Sequence, residues 1–143
     1  MSSPPGAPRV VAAVDRYVER RICAILPQCE LHFVRTGEQL LRALDEWPCD
    51  MVIVGSHFDQ STAVVALEHV LARGETFPVV CVRGLPFARG LGASTLEALR
   101  LASGELGAQH FIDLLQYPDD EPGNARVRAM LERLLPDQDR LPA

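Results

Sequence analysis

At 143 residues, with 48% hydrophobic and 23% charged residues, the chain can bury one compact core and is too short for two. Its formal charge of −5 and pI near 5.3 argue against a polyanion as partner, which removes direct nucleic-acid binding from the leading functions. No apolar run approaches the roughly 20 residues a bilayer-spanning helix needs, and no secretory leader is recognisable, so a cytoplasmic protein without direct membrane insertion is expected.

The chain opens on MSSPPGAP, whose prolines, glycine and serines predict a flexible segment over 1–7 ahead of a folded unit spanning 8–136. Val10–Val14 is the first of five short apolar runs and ends at Asp15. Arg16–Leu26 follows with Val18, Ile22, Ile25 and Leu26 on one helical face. The run Leu31–Val34 precedes a helix over Gly37–Trp47, with Leu40, Leu41, Leu44 and Trp47 as its buried stripe. Met51–Val54 is the third run, and Thr62–Arg73 carries Val64, Leu67, Val70 and Leu71 at helical spacing before Gly74, a suitable stop. Val79–Val82 is the fourth run. A weaker helix is placed within Ser94–Glu105, since Gly104 and Gly107 mark a turn before the fifth run, His110–Leu115. A last helix over Asn124–Leu135, capped by Asn124, buries Val127, Met130, Leu131 and Leu134, and 137–143 is a tail.

Single helices between strands imply parallel pairing by right-handed crossovers. Nearly continuous apolar strands suit a sheet covered on both faces, which makes the fold class α/β, doubly wound, with Met51–Val54 and Val79–Val82 central. In such sheets a ligand crevice forms at the carboxyl ends of the strands. The loops there are Asp15–Tyr17, Gly55–Ser61, Arg83–Ala93 and Leu115–Gly123.

Cys23, Cys29, Cys49 and Cys81 are dispersed and form no CxxC, which fits buried thiols in a reducing compartment. The four histidines, His32, His57, His69 and His110, make no short metal motif. His57 and Asp59 beside Ser56 and Ser61 lack the nucleophile-elbow context of a hydrolase, and neither GxGxxG nor GxxxxGKS is present. The residues therefore predict no enzyme, no cofactor and no metal.

In VAAVD (11–15), CDMVIVG (49–55), FPVVCVRG (77–84), GAQHFIDLL (107–115) and ARVRAMLERLL (125–135) the chain resembles the receiver domains of bacterial two-component response regulators. The resemblance implies a five-stranded parallel sheet in the order 2-1-3-4-5 with five helices. It also implies a phosphoacceptor aspartate at the end of the third strand, with Mg²⁺ held by neighbouring acids. By that pattern Asp15 matches one member of the acidic pair and Arg16 stands in place of the other. The acceptor position falls on Gly55, the switch Ser/Thr on Arg83, and the lysine before proline on Leu114 or Leu115. The resemblance thus implies a degenerate, pseudo-receiver form. Glycine offers no acceptor oxygen, and Mg²⁺ wants several hard oxygen ligands rather than guanidinium neighbours.

Three functional readings follow. The leading one is a stand-alone, phosphorylation-independent interaction or scaffolding module in bacterial signalling, with a protein partner or a second copy of itself. No output domain is expected after the last helix. Its contacts would come from Leu85, Phe87, Arg89 and Leu91 in the apolar segment GLPFARGLGAS and from Tyr117. A second reading is an unconventional phosphotransfer regulator using Asp59. The third is a small-anion or nucleotide-binding domain built on Arg16 and Arg83. Asp15 has a bland alternative: pairing with Arg16 or Arg83, or capping the first helix.

Overall fold

The computed structural model describes residues 6–56, 58, 63–74, 76–84 and 110–135. Five parallel strands form one sheet in the order β2-β1-β3-β4-β5: β1 (Arg9–Ala13), β2 (Glu30–Val34), β3 (Met51–Gly55), β4 (Val79–Arg83) and β5 (His110–Asp113). Four α-helices are described, α1 (Arg16–Ile25), α2 (Gly37–Glu46), α3 (Ala63–Ala72) and α4 (Glu121–Glu132), with a 3₁₀ turn at Leu114–Gln116. The helix expected within 94–105 lies outside the described residues, as do 1–5 and 136–143.

Alternation along the strands sends side chains to two cores. On one face Val11, Val52, Val54 and Cys81 pack under Leu40 and Leu44 of α2 and Leu67 and Val70 of α3. On the other, Val10, Ala12, Ile53, Val80 and Ile112 pack under Val18, Ile22 and Ile25 of α1 and Val127 and Leu131 of α4. β3 and β4, buried on both faces, are the near-continuous apolar strands that a covered parallel sheet demands.

Several helix boundaries have a local chemical cause. Thr36 accepts from the N–H of Gln39 at 3.1 Å while Gln39 Oε1 accepts from the N–H of Arg35 at 2.8 Å, a capping-box exchange that starts α2. α3 gives way to Gly74 at φ +70°, a left-handed conformation that glycine adopts without a Cβ penalty. At the end of α1 the free carbonyls of Ala24 and Ile25 accept from Arg128 of α4, Nη2 at 3.0 Å and Nε at 2.6 Å. One helix thereby closes the end of its neighbour.

Three details of the sequence reading change. Asn124 is not the cap of the last helix: α4 starts three residues earlier, where Asp120 accepts from the N–H of Gly123 at 2.8 Å and Pro122 fills the first turn, leaving Asn124 buried inside. Trp47 does not join the core of α2. It lies beyond the helix end, exposed, with its ring 4.5 Å from that of His32. The fifth strand stops at Asp113 because the Asp113 carboxylate accepts from the N–H of Leu115 at 3.1 Å and turns the chain.

The cysteines are free thiols, but Cys23 is exposed rather than buried. Burial, then Glu132 and Asp50, push the half-buried Cys29 thiol up to about 11. Alkylation at pH 8 is therefore expected to modify Cys23 well before Cys29, read by peptide mass. Because the folded state holds this proton more tightly than the unfolded chain, stability should decline as pH rises from the ordinary thiol range through about 11. Cys29→Ser should flatten that alkaline limb of a denaturation series.

Candidate functional site

The carboxyl ends of β1, β3, β4 and β5 converge where the sequence places its candidate pocket. At the end of β1, Asp15 is the N-cap of α1: Oδ1 accepts from the N–H of Tyr17 at 2.8 Å and of Val18 at 3.1 Å. The carboxylate thus satisfies orphan donors at the positive end of the helix dipole. Of the bland roles open to Asp15, capping is the one the geometry displays. Arg16 stands exposed on the outside of α1.

Gly55 is the last residue of β3, and the side chain beside it is Val14, fully buried. A Cβ added at Gly55 would meet Val14 Cγ1 at 3.2 Å. Chain beyond Gly55 turns inward at once. Ser56 is buried and donates its N–H to the Val82 carbonyl at 2.8 Å, and the buried Phe58 donates to the Gly55 carbonyl at 3.0 Å. Gly84, following β4, lets α1 sit tightly on the sheet, since a Cβ there would lie 2.5 Å from Val18 Cγ2. Asp59, Leu85, Phe87, Arg89 and Leu91 lie outside the described residues.

Arg83 and Asp113 are register partners at the ends of β4 and β5. Arg83 Nε donates to Asp113 Oδ1 at 3.1 Å, and the two side chains are only 14% and 5% exposed. Strand alternation places Arg83 on the α2–α3 face, whereas Arg16 belongs to α1 on the opposite face. Arg83 and Arg16 thus start from opposite faces of the sheet, and the charge of Arg83 is met by a buried carboxylate. Among the described residues, Asp113 Oδ2 is buried and has no hydrogen-bond donor.

Leu114, one of the two positions that the resemblance implies for a lysine, is fully buried, and its carbonyl accepts from Arg21 Nη1 at 2.7 Å. The same guanidinium donates through Nη2 to the carbonyls of Tyr117 at 2.6 Å and Pro118 at 3.1 Å, and through Nε to Asn124 Oδ1 at 3.1 Å. Tyr117 is half-buried, its hydroxyl 3.8 Å from Met130 Sδ, while Leu115 is 41% exposed. Sequence reading missed both Asp113 and Arg21. Asp113 sat inside an apolar run, and Arg21 in the charged triplet Glu19-Arg20-Arg21, which gives no sign that one arginine turns inward.

The described residues at this end of the sheet do not fit magnesium coordination. Asp15 spends an oxygen on the helix cap, Gly55 has no side chain, Val14 is apolar, and the Asp113 carboxylate is engaged by a cation. Among the described residues, no cluster of three or more His, Cys, Asp or Glu side chains could hold a metal ion, and no helix is long and apolar enough to cross a membrane.

No family model and no curated protein matches the sequence. Solved structures do match in three dimensions. One is the signal receiver domain of an HD domain-containing protein from Pseudomonas fluorescens Pf-5, with a TM-score of 0.65 at 17% identity over 90% of this chain and 94% of that one. A response regulator from Thermotoga maritima gives 0.67 at 11% identity over 90% and 97%. The phosphorylated cyanobacterial phytochrome response regulator RcpA gives 0.66 at 13% identity over 91% and 94%. At these identities the likeness is one of architecture: the chain has the fold of response-regulator receiver domains.

Proposed function

We propose that this protein is a phosphorylation-independent interaction or scaffolding module of bacterial signal transduction, a pseudo-receiver that binds another protein through preformed surfaces and has no enzymatic activity. The observation that carries the reading is the contact between Gly55 and Val14, which puts an apolar wall where phosphotransfer needs an acceptor oxygen beside metal-binding acids. The burial of Leu114 and the Arg83–Asp113 pair support it, because a side chain already engaged within the fold is not free to answer a phosphoryl group. Tyr17, 72% exposed, and Leu115 supply apolar surface at this end of the molecule. A cytoplasmic setting belongs to the same proposal.

The test is intact-mass measurement after incubation with Mg²⁺ and acetyl phosphate, run beside an orthodox receiver. No phosphoryl-sized increase is expected while the control is labelled. A stoichiometric increase would overturn the reading, and its mapping to Asp59 would establish the phosphotransfer alternative. Gly55→Asp is expected to stay unlabelled in the same assay. The new Cβ would lie 3.2 Å from Val14 Cγ1, so this β-branched neighbour must give by a few tenths of an ångström, and it supplies no second carboxylate.

A further inference from the structure

The turn after β5 is held from two directions by guanidinium groups that do not belong to it. At its start, Asp113 Oδ1 accepts both Arg83 Nε and the N–H of Leu115, each at 3.1 Å, so the oxygen that receives the ion pair also shapes the 3₁₀ turn. Along its length the carbonyls of Leu114, Tyr117 and Pro118 all accept from Arg21 of α1, whose Nε continues to Asn124 in α4. Tyr117 also donates its N–H to the Leu114 carbonyl at 3.1 Å, and Asp119 lies 3.8 Å from Arg21 Nε. The polar groups of β4, β5, α1 and α4 thus form one continuous network around a segment that a typical fold leaves to water.

Any different arrangement of residues 113–118 would strip Arg21 of several acceptors at once and break a buried ion pair. Removing a partner from a buried charge is among the most costly changes a fold can undergo. We propose that Arg83, Asp113 and Arg21 form a permanent internal brace, which fixes the ends of β4 and β5 and the following turn in one arrangement and presents Leu115 without any covalent signal. The brace rests on the phosphorylation-independent reading, since it supplies the rigidity that a preformed binding surface requires. It also gives the largely covered Arg83 and the buried Asp113 a shared role in which neither contacts a ligand.

Amide hydrogen exchange on the full-length protein tests it. The Leu115 and Tyr117 amides are expected to exchange about as slowly as those of β4. Arg83→Met and Arg21→Met should each accelerate both amides at least about tenfold more than those of β1 and β3, whose exchange follows only the fall in global stability. The effects of the two substitutions should be strongly non-additive, because either one releases the same segment. Fast exchange of Leu115 and Tyr117 in the unmodified protein, or strictly additive effects in the double variant, would overturn the brace. Acetyl phosphate with Mg²⁺ separates the two proposals. A mass increase with unchanged exchange at Leu115 would remove phosphorylation independence and leave the brace standing, whereas altered exchange at Leu115 would overturn the brace itself.

Discussion

An Arg21→Met variant is expected to lose about 3 kcal/mol of stability, which for a domain of this size lowers Tm by about 10 °C. Methionine keeps the aliphatic stem but deletes every donor. The carbonyls of Leu114, Tyr117 and Pro118 and the side chain of Asn124 lose their shared partner together. An isolated surface hydrogen bond contributes about 1 kcal/mol, so a loss of this size reports a guanidinium serving several acceptors. Its side chain is only 11% exposed, and water cannot replace it fully. Arg21→Lys should recover less than half of the loss, because an ammonium is a point donor and cannot span the fork. Arg20→Met, one residue away and exposed, should stay within about 0.5 kcal/mol of the unmodified protein. Chemical denaturation of the three variants checks all of this; equal losses for Arg20→Met and Arg21→Met would contradict the role given to Arg21.

The second large effect is expected for Gly123→Ala, and it runs against helix propensity. Alanine is favoured over glycine in a helix by about 1 kcal/mol, less in a first turn, so a solvent-facing site would gain from the change. Here the added Cβ would overlap the Pro118 carbonyl oxygen and lie 2.9 Å from its carbonyl carbon. Those are backbone atoms, and the same carbonyl is held by Arg21 Nη2 at 3.1 Å, so the turn cannot simply yield. Overpacking of this kind costs up to about 3 kcal/mol, and a net loss of about 2 kcal/mol should remain after propensity is counted. Thermal unfolding would show a drop of about 6 °C. A Tm that rises instead would mean that Pro118 moves freely, in conflict with the packing of α4 against the turn.

Both residues act on the connection between β5 and α4, where the sequence was least legible. PDDEPGN contains two prolines and a glycine and reads as a loop, which moves the expected helix start to Asn124. Pro122 is in fact compatible with a first helical turn, where its missing N–H has no intrahelical partner to lose. Asp120, two residues before it, supplied the cap signal. The strands were legible because their apolar runs are continuous, and α1 and α2 because Val18, Ile22 and Ile25 and Leu40 and Leu44 recur at the helical period. Trp47 was misread because apolar character gives a residue's preference but not whether its helix still continues to present it. The candidate pocket was partly legible: the absence of a side chain at Gly55 is a fact of composition. Its replacement by contact with Val14 and by the Arg83–Asp113 pair was not.

Sequence alone determined the α/β rhythm, the two-sided burial of the central strands and the absence of a side chain at Gly55. These depend on residues within a turn or two of one another, where periodicity and local hydrogen bonding dominate. Tertiary structure alone decided that Arg21 turns inward to carbonyls 93 to 97 positions away, that Arg83 meets Asp113 across 30 positions, and that Val14 lies against Gly55 at the end of β3 and Val18 against Gly84 just after β4. The reason is that burial of a charge is stable only when the whole fold delivers its partners, and strand order with register, set by the packing of two cores at once, chooses which polar groups meet.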